Sequence, residues 1–174
     1  MKKIKTRDIT LCAFFAALSA ILSQTSIPLG PVPITFTHFS IFTAVGILGT
    51  KSGTLSQFIF VLLGMAGIPV FSNFSGGIGV LATPIGGFIV SYIFCALVAG
   101  IIIDRFGRSV TVLLSAMLAG WTATYLLGIP WFMHITGMSL NQSLLFMAQF
   151  LPGDALKTVL SIDVIKRLYP IISR

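Results

Sequence analysis

Between Arg108 and Asp163 the chain carries only two charged side chains, Asp154 and Lys157, within Leu151-Pro-Gly-Asp-Ala-Leu-Lys157. Three residues apart, they share one face of a helix. Asp154 precedes Lys166 by twelve residues, a helical rise of about 18 Å at about 1.5 Å per residue. A hydrocarbon core is about 30 Å thick. If Lys166 and Arg167 mark one membrane surface, the pair therefore sits at membrane depth. Charge there costs at least ~2.5 kcal/mol per group unless a partner or a polar cavity receives it. The rest of the chain is read as the cage around this pair.

Composition decides the solvent. Hydrophobic residues make up 56% of the chain and charged ones 9%, against about 25% charged in soluble domains. A chain of this size cannot hide that much apolar surface from water, so an all-α integral membrane protein is expected. The net charge of +7 invites a nucleic-acid reading, but no basic and aromatic patch exists to track a phosphate backbone. Nucleic acid is excluded as a partner, and the lipid bilayer takes its place. The basic start followed by an apolar run resembles a signal peptide. Five more apolar runs and the lack of a small-residue cleavage site make it a retained first span.

Six spans are read, at about residues 9–27, 35–49, 53–68, 85–103, 109–129 and 150–168, in a single membrane domain over 1–174. Pro28, Pro69 and Pro130, each after an isoleucine, are taken as the stops of spans one, three and five. Six spans put both termini on one side. That side holds Lys2, Lys3, Lys5, Arg7, Lys51, Arg105, Arg108, Lys166, Arg167 and Arg174, and the opposite loops hold no Lys or Arg. This asymmetry predicts cytoplasmic termini. The opposite loops are uncharged and rich in Gly, Pro and aromatic residues. Irregular backbone near membrane depth survives where it lines a cavity, so an outward-facing pocket is expected.

Several constellations carry chemistry. Asp154 and Lys157 are either an ion pair that fixes packing or a ligand clamp. Pro152 suits the first turn of a helix, which places Asp154 at the positive dipole end. A carboxylate beside an ammonium suits a neutral group with N–H and C=O, such as a cyclic urea or an amide, and equally a zwitterion. In the loop Val70–Gly79, Gly76, Gly77 and Gly79 permit close backbone approach. Their N–H groups either line an anion nest or belong to a plain flexible loop, and Asn73 offers an amide to a ligand carboxylate. Ala13, Ala16, Ala17 and Ala20 lie within about a 100° arc of the first helix. They serve either internal packing or the docking of a partner subunit.

Other chemistry is missing. His38 and His134 suggest no metal site, and Cys12 and Cys95 read as small buried hydrophobes. With no zincin spacing, no Gly-x-Ser-x-Gly elbow and no nucleotide-binding loop, the chain is short of the parts of an enzyme.

Taken in order, Pro31-Val-Pro-Ile-Thr-Phe36, Gly67-Ile-Pro-Val-Phe71, Thr83-Pro-Ile-Gly-Gly-Phe88 and Pro152-Gly-Asp-Ala-Leu-Lys157 resemble the BioY family. These are biotin-specific substrate-binding (S) components of energy-coupling factor (ECF) transporters. The resemblance implies a six-helix ECF S-component fold in a prokaryotic plasma membrane, with biotin held in an outward pocket closed by loops. It implies that Asp154 and Lys157 contact the ligand and that Asn73 does so from the loop. Phe71, Phe74, Phe88, Tyr92, Trp131 or Phe132 would then cover the apolar ring of biotin, and Gly76 and Gly77 would meet its carboxylate. It implies as partners the transmembrane coupling protein EcfT, docked on the alanine face of the first span, and a pair of EcfA-type ATPases that hydrolyse ATP. No cofactor is implied, since biotin is cargo, and a homo-oligomer is left open. Two departures stand out: Phe88 where the family has tyrosine, and Thr37 where it often has glutamine. The rival readings are an S component or solo carrier for another small vitamin, and a structural or enzymatic membrane subunit.

Overall fold

The computed structural model describes residues 6–28 and 30–172; Lys2, Lys3, Lys5 and Arg174 lie outside the described residues. The helices are α1 (Thr6–Gln24), α2 (Thr37–Met65), α3 (Gly86–Phe106), α4 (Val110–Thr136), α5 (Leu140–Ala148) and α6 (Leu151–Ile172). Four of them, α1 to α4, are long and apolar enough to cross a membrane.

α2 is two rods rather than one. Gly49 leaves the helix with φ 79° and ψ −177°, a region open essentially to glycine alone. A Cβ on Gly53 would fall 2.7 Å from the Cα of Val45, whereas residues eight apart on a straight helix lie about 12 Å apart. The chain therefore folds back at Gly49 into antiparallel arms, 37–48 and 50–65. α3 caps the second arm: Asp104 Oδ2 accepts the Thr50 N–H at 2.8 Å and the Thr50 hydroxyl at 2.6 Å. With the two arms counted apart, the described residues form six long rods, as the fold reading requires.

Several boundaries differ from expectation, chiefly at prolines. α1 ends at Gln24, before Ile27-Pro28, and α2 ends at Met65, before Pro69. α4 runs through Pro130 to Thr136, so Pro130 is no stop. A proline in a membrane helix costs one backbone hydrogen bond, which neighbouring groups make good. α6 likewise continues past Pro170. The connection expected between the fifth and sixth spans, 130–149, is instead the end of α4 followed by α5, which opens on a capping box. There the Ser139 hydroxyl accepts the Gln142 N–H, and the Gln142 side chain accepts the Ser139 N–H.

Polarity is distributed as lipid demands. Phe14, Leu126, Leu145 and Val159 are exposed, while Ser19, Ser40, Ser56 and Gln57 are fully buried. Ser19 ties the rods together, its Oγ lying 2.9 Å from Ser40 Oγ and 3.1 Å from Gln57 Oε1. This bond sets the rotation of α1 and corrects the reading of its alanines. Ala16 is buried and Ala20 packs inward, whereas Ala13 and Ala17 are exposed. The four do not form one outward face.

Two ends emerge. At one, Arg108 Nε donates to Gly46 O at 2.7 Å, the Arg108 guanidinium lies 3.9 Å from the Tyr169 ring centroid, and Cys12 approaches Ser52 O at 3.4 Å. These contacts gather the start of α1, the Gly49 turn, the α3–α4 link and the end of α6. At the other, loops 25–36 and 66–85 are tied together. Gln24 Nε2 donates to Phe71 O at 2.9 Å, Gln24 Oε1 accepts the Phe74 N–H at 3.0 Å, and Ser26 Oγ donates to Asn73 Oδ1 at 3.1 Å. Loop 25–36 is itself closed by paired bonds between Ile27 and Ile34 at 2.8 and 2.9 Å.

Candidate ligand-binding site

The site is built on the first turn of α6. Asp154 stands in that turn, where unpaired N–H groups and the helix dipole favour a carboxylate. Asp154 Oδ1 accepts from Lys157 Nζ at 3.0 Å, and its Oδ2 accepts from Tyr125 Oη at 2.5 Å. Both charged residues are buried, with 6% and 3% of their surface exposed. The pair is thus neutral in sum, and each member is held by a short bond, the condition under which buried charge is tolerated.

A shell of aromatic rings on α2, α3 and α4 surrounds the pair. Trp121 Nε1 donates to Thr158 Oγ1 at 3.1 Å, and Thr158 donates to Asp154 O at 2.8 Å, so the indole is keyed to the same turn. The ammonium of Lys157 lies 5.6 Å from the Trp121 ring centroid, within cation–π range. His38 stacks on Trp121 with centroids 4.1 Å apart, and Tyr92 meets His38 edge-on at 5.2 Å.

These groups line a cavity of about 50 Å³ within a hollow that opens to solvent. Val32, Pro33, Ile34 and Thr35 of the closed loop 25–36 bound it, together with Phe88, Met147 and Phe150. Apolar walls with a few convergent polar groups are the usual make-up of a small-molecule site. The polar groups have a definite inventory. Tyr125 gives its only proton to Asp154 and keeps an acceptor oxygen, the carboxylate accepts only, and Lys157 has three donors of which one is used.

The structure brings some predicted residues together and separates others. Asp154, Lys157, Phe88 and Tyr92 share the cavity. Asn73 does not; it lines a different hollow with Pro28, Gly30, Ser72 and Thr83. A third hollow, lined by Phe71, shares Phe88 and Tyr92 with the cavity and Ser72 and Ile85 with the Asn73 hollow. Phe71 lines this third hollow rather than the cavity, its ring seated over Gly64. Gly76 and Gly77 line none of the three hollows. The Gly77 N–H donates to Gly64 O at 2.7 Å, and a Cβ on Gly76 would fall 2.5 Å from Ile68 O. These glycines fold the loop onto the end of α2, and the N–H expected to meet an anion is spent there.

The remaining aromatic candidates are elsewhere. Trp131 packs on Gly87 and donates to Thr83 O at 3.3 Å, Phe132 is buried against Phe146, and Phe74 is 74% exposed. Thr37 is fully buried beside Thr35 at 3.0 Å and lines no cavity. Sequence reasoning missed Tyr125, Trp121 and His38. A helical net over α4 would have placed Trp121 and Tyr125 four residues apart on one face, but nothing local shows that this face meets Asp154.

Comparison with known proteins agrees with the geometry. The family model described as the BioY family matches residues 1–174. The chain is 33% identical to the probable biotin transporter BioY of Pyrococcus horikoshii, over 95% of this chain and 98% of that protein. It is 33% identical to the biotin transporter BioY of Rhizobium etli, over 91% and 90%. The Thermotoga maritima biotin transporter BioY is 40% identical over 71% of this chain and 72% of its own. The crystal structure at 2.1 Å of the S-component for biotin from an ECF-type ABC transporter superposes with a TM-score of 0.89 and 28% identity, covering 95% of this chain and 94% of that one. Six rods around one buried Asp–Lys pair, a family model matched over residues 1–174 and two relatives matched over 98% and 90% of their own length lead to one statement: this chain belongs to the BioY family.

Proposed function

We propose that the chain is the biotin-binding S component of an ECF transporter, capturing biotin in the cavity around Asp154. The observation that carries the proposal is the neutral Asp154–Lys157–Tyr125 cluster, buried in a cavity of a chain whose relatives are named biotin transporters. The ureido ring of biotin has two N–H donors and one carbonyl. Asp154 takes an N–H and Lys157 donates to the carbonyl, so the ligand head is read without net charge. Phe88 and Tyr92 cover the apolar ring, and the valerate chain leaves through the hollow beside Phe71 and Ser72 toward Asn73. The 66–85 loop, with Gly76 and Gly77, closes over that tail.

The same reading assigns the surroundings. The basic end of the bundle faces the cytoplasm with both termini, and the loop end faces outward. Six membrane crossings make one domain of residues 1–174. The chain itself does not hydrolyse ATP. It works with a transmembrane coupling protein of the EcfT type and a pair of EcfA-type ATPases, and Ala13 and Ala17, the exposed alanines of α1, remain available for that docking.

Calorimetry with biotin on detergent-purified protein tests the proposal. Tight binding that Asp154→Asn removes is the expected result. A folded wild-type protein that ignores biotin overturns it. Biotin methyl ester should bind nearly as well as biotin, because Lys157 serves the ureido carbonyl; a large loss would put Lys157 on the carboxylate instead.

A further inference from the structure

His38, which the sequence excludes only as a metal ligand, lines the cavity between Tyr92 and Trp121. Its hydrogen bonding determines which of its ring nitrogens carries the proton. Thr124 Oγ1 donates its single proton to Gly120 O at 3.1 Å. The same oxygen lies 3.4 Å from His38 Nε2; with the Thr124 proton on Gly120 O it accepts there, and the tautomer we assign to His38 carries its hydrogen on Nε2. A neutral imidazole has one N–H. Nδ1 is therefore a bare acceptor, with no hydrogen-bond partner among the described residues. The enclosed side-chain nitrogens and oxygens without partners among those residues are Thr54 Oγ1 and Ser143 Oγ. Nδ1 is not one of them, so it keeps open surface, and the space His38 borders is the ligand cavity.

From this geometry we infer that His38 Nδ1 accepts a hydrogen bond from an N–H of the bound ligand, making His38 a specificity-determining residue of the site. The inference rests on the biotin reading and extends it. The clamp on α6 satisfies one N–H and the carbonyl of a cyclic urea, and His38, reaching in from α2, takes the second N–H. Three side chains from two helices would then read the three polar corners of one ring. The site would discriminate against heads that replace an N–H by an oxygen or a carbon, because a buried acceptor left unpaired costs more than the bond it forgoes.

The test compares biotin binding of wild type, His38→Phe and His38→Gln in detergent. His38→Phe keeps a flat ring on Trp121 and removes the acceptor; His38→Gln loses the ring and restores an amide oxygen. The expected order of affinity is wild type, then Gln, then Phe, with Phe weaker than wild type by about tenfold, the loss of one buried hydrogen bond. Phe binding as well as wild type, or better than Gln, would show that His38 only packs and overturns the inference. A wild type that does not bind biotin is the separate failure of the function proposed above. Imidazole nitrogen NMR decides the matter should the variants not fold. With only two histidines in the chain, His134 serves as the internal reference. The expected spectrum has hydrogen on His38 Nε2 and an Nδ1 resonance that moves on adding biotin. A proton on Nδ1 in the ligand-free protein, or an Nδ1 resonance indifferent to bound biotin, overturns the inference.

Discussion

At the scale of single residues, the site depends on who donates to Asp154. Its two oxygens accept from Lys157 and Tyr125, and Tyr125 fixes the carboxylate plane. A hydrogen bond to a charged group contributes about 1.5–3 kcal/mol. Tyr125→Phe should therefore weaken biotin binding by about tenfold to a hundredfold by calorimetry. The ion pair also allows packing and ligand recognition to be separated. Asp154→Ala leaves a buried ammonium without a counter-charge, a loss of about 3–5 kcal/mol that should appear as a lower melting temperature in detergent. Asp154→Leu combined with Lys157→Met removes both charges and should recover most of that stability while binding no biotin. Recovery of binding along with stability would reduce the pair to a packing device.

At the scale of elements, the turn at Gly49 and the helix α5 carry the architecture. Gly49 holds a glycine-only backbone conformation, and a Cβ there would meet Asp104 Oδ1 at 2.8 Å. Gly49→Ala should cost about 1–3 kcal/mol, read as thermal unfolding, because the two arms of α2 and the cap from α3 all depend on that fold-back. α5 delivers Met147 to the cavity, and Phe150 follows in the link to α6. Its capping box was legible as Ser139 followed three residues later by Gln142 before an apolar run. Reading Pro130 as a helix stop makes the stretch after it a loop and hides that cap. In water that reading of proline is sound; in a bundle surrounded by lipid, the lost bond is a local cost that a long helix absorbs.

At the scale of the whole molecule, polarity and charge are arranged for a bilayer. The basic residues described outside the cavity gather with the Gly49 turn, and the closed loops occupy the far end. The two native cysteines are buried, so single cysteines report orientation cleanly. A Phe74→Cys variant in intact cells should react with a membrane-impermeant maleimide, and an Arg105→Cys variant should react only after the membrane is opened. The reverse pattern would invert the topology proposed here.

The sequence by itself determined the solvent, the helical class, the number of long rods and the charged pair at the centre. Each of these follows from quantities local to the chain: apolar run length, the spacing of Lys and Arg, and two charges isolated among apolar residues. Of the six aromatic residues offered with the family resemblance, Phe88 and Tyr92 line the cavity. The tertiary structure alone decided the rest. Which face of α1 turns inward follows from a hydroxyl on Ser19 meeting Ser40 and Gln57. That Asn73 belongs to a different hollow from Asp154, and that Gly77 spends its N–H on the end of α2, follow from how the loops close. Trp121, Tyr125 and His38 reach the cavity because α2 and α4 pack around the start of α6. A cavity is a relation among helices distant in sequence, and no local pattern in any one of them records which face the others will meet.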